Sequence, residues 1–225
     1  MVLSIAGYLF PAFIDTALLA LHPLFLSTPI HLGGLGMSPP QIGLCLGIFG
    51  ILDGIVQGVF FAKLIRRIGL KRLFLLSLFS FIPLFSMFPV INHFAREWGR
   101  SPAVWALVIF QLMINCVTEM SFGTCASSNS RQHDSHRSCR IYSGCAFMYI
   151  TSSVKNPRTL GSVHGIGQTG AALVRTISPA MTTSLFAYTL QNDWLGGLGV
   201  YIVLIAISSS GLRLAYKLPE KGWEH

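Results

Sequence analysis

Six stretches of the sequence are apolar over about twenty residues or more, the length that a helix needs to cross the roughly 30 Å hydrocarbon core of a bilayer. Within lipid, a helix pairs all of its backbone amides and carbonyls internally. We therefore predict an all-α fold, a polytopic membrane bundle of six transmembrane helices in a single domain spanning residues 1–225. The predicted helices are at about 2–29, 40–64, 70–94, 102–123, 160–190 and 196–216.

The composition also indicates a membrane protein. Apolar residue types make up 52% of the 225 residues and charged types only 11%, whereas soluble domains carry roughly 25% charged residues. These values exclude a disordered chain, a secreted disulfide scaffold and an ordinary cytosolic enzyme. The net charge of +8 does not indicate nucleic-acid binding, because the basic residues form short clusters between apolar runs. No phosphate-binding loop, serine elbow or zinc-protease motif occurs, so we expect no enzymatic activity and no cofactor.

Loop charge predicts the orientation. Leaving aside the segment 124–144 and Arg175, ten basic residues fall on one side of the predicted bundle and two on the other. The positive-inside rule places the richer side, and with it both termini, in the cytoplasm.

Residues 124–144 (TCASSNSRQHDSHRSCRIYSG) interrupt this pattern, because they are polar, Ser-rich and basic. Deleting them would restore one apolar helix from about 104 to 150. We interpret the segment as a retained intron or a gene-model error, and the alternative is a cytoplasmic loop after helix four. Its cysteines and histidines fit no standard zinc motif, so we predict no metal site.

Charged side chains inside a bilayer cost roughly 2.5–3.5 kcal/mol each on insertion scales and usually face the bundle interior. Four occur within predicted helices: Asp15, Asp53, Glu119 and Arg175. Asp15 shares a helix face with His22, seven residues later. It is either a carboxylate of a substrate or proton pathway, or a structural acid paired with a backbone donor or with Arg175.

Polar residues line up on two further helices. Helix four carries a stripe at four-residue spacing, and helix five carries His164, Gln168, Arg175 and Ser178 on one face, among glycines and Pro179. Transporters tend to place their substrate and ion sites at such weakened helices. A stripe of polar residues can instead form hydrogen bonds between helices that only hold the bundle together. The predicted pathway residues are Asp15, Gln111, Asn115, Glu119, Gln168 and Arg175.

Helix two carries a glycine ridge with repeated four-residue spacing, for which helix packing is the main interpretation. Asp53 and Gln57 lie on a neighbouring face, also four residues apart. They either line a polar cavity or meet the basic loop that follows.

Three stretches resemble the C-terminal half of a major facilitator superfamily transporter, most closely the fungal multidrug and zinc-induced-facilitator-like members. They are residues 25–39 (FLSTPIHLGGLGMSP), 64–72 (LIRRIGLKR) and 162–186 (SVHGIGQTGAALVRTISPAMTTSLF). The second stretch is similar to the weaker copy of the family's G-x-x-x-D-R-x-G-R-K signature, although Arg66 replaces its Asp, so the gating ion pair of that Asp cannot be carried over. The loop residues assigned to the signature and the cytoplasmic gate region are Lys63, Arg66, Arg67, Gly69, Lys71 and Arg72.

This resemblance implies secondary transport of small solutes by alternating access, coupled to protons, with a lipid bilayer and a small-molecule substrate as partners. It also implies that the membrane is the plasma membrane or that of the vacuole. The family has twelve helices, so we expect the chain to be a truncated C-terminal half. It would be a truncated gene model, a fragment of a longer protein, or a half-transporter that pairs with a second copy. The alternative function is that of a non-transporting membrane protein, either a pseudogene product or a partner-binding six-helix subunit.

Overall fold

The computed structural model describes residues 2–68, 70–99, 101–119, 160–192 and 194–216, and the long elements within these ranges are all α-helices. The segment 124–144, with its predicted intron and its cysteine–histidine cluster, lies outside the described residues. The described elements are α1 (Val2–Ser27), a 3-10 turn (Ile30–Leu32), α2 (Pro39–Ile68), α3 (Leu70–Trp98), α4 (Pro102–Glu119), α5 (Leu160–Gln191) and α6 (Gly199–Tyr216).

Five of these helices are long and apolar enough to cross a membrane, namely α1, α2, α3, α4 and α6. The remaining helix, α5, is 32 residues long but contains many Gly, Ser and Thr residues together with Gln168 and Arg175. Length and composition therefore identify a helical membrane bundle with five spans, and the sixth predicted span is not identified by these criteria.

Helix α1 is the centre of one side of the bundle, where it packs mainly against α5 and also against α6. Small residues allow this close approach. A Cβ added to Gly170 would lie 3.1 Å from Leu9 Cδ2, and one added to Gly211 would lie 3.3 Å from Phe10 Cβ. The Ser178 hydroxyl donates a hydrogen bond to the Phe13 carbonyl at 2.6 Å. Glycine contacts and interhelical hydrogen bonds are the usual means of joining helices in lipid.

An aromatic cluster joins α1, α3 and α6. Phe88 of α3 lies at its centre, edge-on to Phe25 at a centroid distance of 4.9 Å and stacked on Tyr201 at 5.5 Å. Phe81 and Phe85 continue the same face of α3. Helix α3 also packs against α4, so it connects α4 to the group formed by α1, α5 and α6.

Helix α2 makes the least extensive contacts with its neighbours, and the structure shows no helix packed on its glycine ridge within the described residues. A Cβ added at any ridge glycine would meet nothing within 4 Å; these glycines are Gly43, Gly47, Gly50, Gly54 and Gly58. Much of α2 is exposed as a result, including apolar side chains such as Ile51 and Ile55. The four-residue spacing of the glycines is compatible with close helix packing, but spacing alone does not indicate whether the partner helix belongs to this bundle.

The loop after α1 folds back over the end of that helix. Backbone amides of Leu35 and Met37 donate to the carbonyls of Phe25 and Leu26 at 3.1 and 2.8 Å, so carbonyls that the helix end leaves unpaired are satisfied. Asn92 of α3 fixes the loop from the other side, because its Nδ2 donates to the Ile30 and Gly34 carbonyls at 3.0 and 2.9 Å.

Gly34 is expected to be required in this loop. A Cβ there would collide with the carbonyl oxygens of Thr28 and Phe25, which are backbone atoms and cannot rotate away. Gly34→Ala should therefore destabilise the protein by about 1–3 kcal/mol, the usual range for overpacking, and lower its thermal unfolding midpoint in detergent. Gly43→Ala is the matched control, because its Cβ meets open space. Equal unfolding midpoints for the two variants would contradict this account of the loop.

Candidate functional site

Three ionisable side chains from three helices lie together, and we call Asp15, Glu119 and Arg175 the charged cluster. Asp15 is near the middle of α1, Arg175 near the middle of α5, and Glu119 is the last residue of α4. The carboxyl groups of Asp15 and Glu119 are within hydrogen-bonding reach of each other, and the Arg175 guanidinium is close enough to Asp15 for electrostatic attraction. The structure thus brings together three of the six predicted pathway residues.

The chemistry of the charged cluster follows from its composition. A hydrogen bond between two carboxyl groups requires a proton on at least one of them, because an ionised carboxylate only accepts. Asp15 is only 9% exposed, so its ionised form depends on the neighbouring guanidinium for compensation. The cluster can therefore hold a proton, exchange it, or bind a charged group in place of it.

Asp53 of α2 adds a third carboxyl near the charged cluster. Its Oδ2 accepts a hydrogen bond from Gln57 Nε2 at 2.7 Å, and the Cys116 thiol of α4 lies beside the same carboxyl. Its Oδ1 is buried without a hydrogen-bond partner among the described residues. Asp53 also lies within electrostatic range of Glu119. Asp53 is thus a neighbour of Glu119, and its two predicted alternatives, a polar cavity or the basic loop, both stay predictions.

Gln111 and Asn115 lie two turns and one turn before Glu119 on α4, and both are almost fully buried, at 1% and 3% exposure. Asn115 Oδ1 accepts a hydrogen bond from the Thr118 hydroxyl at 2.9 Å. Gln111 Nε2 has no partner among the described residues. Gln168 is exposed on α5 and has no hydrogen bond to the charged cluster within the described part of the chain. The described residues show no side-chain hydrogen bond from these three residues to the cluster, and their place in the pathway stays a prediction.

His22 packs against the aromatic cluster. It is 5% exposed, and its ring lies edge-on to Phe88 at a centroid distance of 5.3 Å. Its Nε2 has no hydrogen-bond partner among the described residues. The shared helix face predicted for Asp15 and His22 does not bring the two side chains into one site.

The basic residues of the predicted loop lie in the last turns of α2 and the first turn of α3, at the opposite end of α2 from the 3-10 turn. Lys63, Arg67 and Arg72 are exposed, and Lys63 and Arg67 border a recess together with Phe60 and Leu64. The side chains of the other predicted loop residues (Arg66, Gly69 and Lys71) lie outside the described set.

An apolar groove runs between α2 and α4, with a volume of about 460 Å³. Gln41 of α2 and Trp105 of α4 lie at one end, and Leu52 and Cys116 lie at the other. Because both helices pass through eleven residues between these ends, the groove is about 17 Å long at the usual helical rise. Its inner end therefore lies against Asp53, which follows Leu52 in the chain and contacts Cys116.

Comparison with known proteins finds fungal transporters. The chain is 21% identical over 213 residues to the major facilitator-type transporter psiT2 of Psilocybe cyanescens, covering 90% of this chain and 36% of that relative. It is 23% identical to the multidrug transporter mfsB of Aspergillus fumigatus, over 86% of this chain and 30% of that relative. The efflux pump azaK of Aspergillus niger is 26% identical, over 88% and 37% respectively.

The chain is a relative of fungal major facilitator-type transporters. This confirms the resemblance predicted from the three sequence stretches, and the relatives together with the five apolar helices make the chain an integral, multi-pass membrane protein. The chain spans about a third of the length of the curated relatives it matches. No protein-family model matches it, and no solved structure gives a significant match.

Proposed function

We propose that the chain forms the C-terminal six-helix half of a proton-coupled secondary transporter of small solutes that works by alternating access. The relatives support this proposal, since they are named as major facilitator-type transporters and an efflux pump. In this proposal α5 is the sixth membrane span, and its low apolar content reflects a helix that faces a watery pathway on one side. The solute pathway lies between this half and a partner, which is either an N-terminal half or a second copy of the chain.

The observation that carries the proposal is the charged cluster. Asp15 and Arg175 lie at the middle of helices of 26 and 32 residues, which corresponds to the centre of a membrane. Ionisable groups at that depth are costly, and in membrane proteins they usually mark substrate or proton pathways. The convergence of two carboxyls and a guanidinium from three helices is a stronger indication than any one of them alone.

The pathway residues have distinct proposed roles. The Asp15–Glu119 pair carries the coupling proton, and Arg175 holds Asp15 in place and compensates its charge when the proton leaves. Gln111, Asn115 and Gln168 are proposed to line the pathway near the cluster, where their amides can bind polar groups of the solute. We propose that the basic loop residues of the signature set hold the cytoplasmic orientation, with both termini in the cytoplasm, in a plasma or vacuolar membrane.

Proton-coupled flux tests this function. The chain, in its full-length gene product, is reconstituted into liposomes with an imposed pH gradient and a luminal pH dye, and cationic, neutral and anionic organic solutes are added in turn. We expect at least one solute to discharge the gradient, and the Arg175→Ala protein to lack this response. If the native protein is correctly inserted and none of the added solutes makes it discharge the gradient, that result would count against the proposal.

A further inference from the structure

A recess near the C-terminal end of α2 presents apolar and cationic side chains next to each other. It has a volume of about 580 Å³ and is bordered by Phe60 and Leu64 together with Lys63 and Arg67. Both basic side chains are exposed, and residues four apart are neighbours on the surface of a helix. The recess therefore offers two adjacent cations beside an apolar wall.

The positive charge at this recess has no acidic counterpart in the described part of the chain. No Asp or Glu occurs in the sequence between Asp53 and Glu97. Neither Lys63 nor Arg67 forms an ion pair with another described residue. Arg72, which is also exposed, adds a further cation in the first turn of α3. A ligand that fits this charge is therefore an anion.

The recess lies at the depth of the lipid headgroups. The apolar span of α2 ends at Phe60, and at the usual helical rise Lys63 and Arg67 lie about 4.5 and 10 Å beyond it. The headgroup region extends about 5–8 Å on each side of the hydrocarbon core. Lys63 thus lies within the headgroup layer, and the long side chain of Arg67 can reach back into it.

Exposed apolar side chains continue from the recess toward the middle of the membrane. Ile51, Ile55 and Val59, which we call the apolar stripe, are 68%, 56% and 48% exposed. They follow each other at four-residue spacing, and Lys63 and Arg67 continue the same series. At the helical rise the apolar stripe is about 12 Å long, most of the roughly 15 Å thickness of one leaflet. An acyl chain can therefore lie along it.

We propose that this recess binds an anionic diacyl phospholipid, with its phosphate between Lys63 and Arg67 and one acyl chain along the apolar stripe. A free anion would gain nothing from the stripe, and a neutral lipid would leave the two cations without a counter-charge. An anionic phospholipid carries its charge and its hydrocarbon at the two depths where the protein offers matching groups. The inference goes beyond the proposed function and does not depend on transport.

Native mass spectrometry of the purified full chain tests this inference. The protein in detergent receives phosphatidylserine and phosphatidylcholine of identical acyl chains at equal, subsaturating concentrations, and the bound lipids are counted. A basic residue near the membrane surface favours an anionic lipid by about fivefold. With two such residues, we expect bound phosphatidylserine to exceed bound phosphatidylcholine by about tenfold or more. Glycerophosphoserine, the same headgroup without acyl chains, should not displace the lipid at equal concentration.

Substitutions at the two cations locate the site. Lys63→Gln and Arg67→Gln, made singly, should each lower the preference for phosphatidylserine by about fivefold. Arg67→Lys keeps the charge and should keep the preference to within about twofold, which a merely structural role of the arginine does not predict. Arg213→Gln is the matched control, because Arg213 is exposed in the last turn of α6. It should leave the preference within about twofold of the native value.

Three results would overturn the inference. Equal binding of the two lipids would mean that the recess does not select the anionic headgroup. An equal loss of preference in Lys63→Gln and Arg213→Gln would indicate a general effect of net charge in place of a site. Displacement of phosphatidylserine by glycerophosphoserine at equal concentration would indicate a site for free anions. The proposed function fails separately, because a protein that selects the anionic lipid but shows no proton-coupled flux would retain this site.

Discussion

Arg175→Ala is expected to reduce proton-coupled solute flux by at least about tenfold while leaving membrane insertion intact. The Arg175 guanidinium attracts Asp15 electrostatically, and losing such a charge-assisted interaction commonly costs about 1.5–3 kcal/mol, or a factor of ten or more. Without it, the buried Asp15 carboxylate would lose the cation that compensates its charge when the proton leaves, and the transport cycle should stop. Flux in liposomes and the yield of inserted, monodisperse protein are the two measurements.

A matched substitution separates loss of function from general damage. Arg213→Ala removes the same side chain from the last turn of α6, where it is exposed and remote from the charged cluster in sequence. It should leave flux within about twofold of the native protein, as expected for a surface site. If Arg175→Ala transports as well as Arg213→Ala, Arg175 has no place in the pathway.

Glu119→Gln is expected to separate solute movement from proton movement. The substitution keeps a hydrogen-bonding group beside Asp15 but removes the titratable carboxyl, so the pair can no longer exchange a shared proton. Accumulation of solute driven by a pH gradient should fall by about tenfold or more, while exchange of solute at equal concentrations on both sides should continue. Both fluxes are measured in the same liposomes.

The control for this experiment is Glu97→Gln, the same chemical change at an exposed position near the end of α3. Its accumulation and exchange rates should both match those of the native protein. Loss of exchange together with accumulation in Glu119→Gln would indicate a structural role for Glu119 and contradict its role as a proton carrier.

Much of the fold could be predicted from hydrophobicity, because a run of about twenty apolar residues has few alternatives to a membrane helix. The sequence also indicated Asp15, Glu119 and Arg175 as candidate pathway residues, because charged residues are rare within apolar runs. It could not show that Asp15 and Glu119 are direct neighbours, because their contact depends on how α1 and α4 are arranged. Arg175 is exposed on α5 within the described residues. The sequence could not show this either, because the exposure of a side chain depends on which helices pack beside it.

Other features required the three-dimensional arrangement. Asp53 was not among the predicted pathway residues, because its partner Cys116 lies on another helix and reads in sequence as a small apolar residue. The helix repeat placed His22 near Asp15, but packing against Phe88 decides where its ring lies. The glycine ridge of α2 has the spacing of a packing surface, yet spacing alone cannot supply the partner.

Thiol labelling tests most directly whether the charged groups face a shared aqueous interior. The five native cysteines are replaced with serine, and Arg175→Cys, Gln168→Cys and Phe79→Cys are made singly in the reconstituted full-length protein. Phe79 is exposed on α3 and should face lipid. The account predicts that a charged, water-soluble methanethiosulfonate labels positions 175 and 168 but not position 79. Failure to label position 175, with labelling there only by a lipid-soluble maleimide, would place Arg175 against acyl chains and contradict the account.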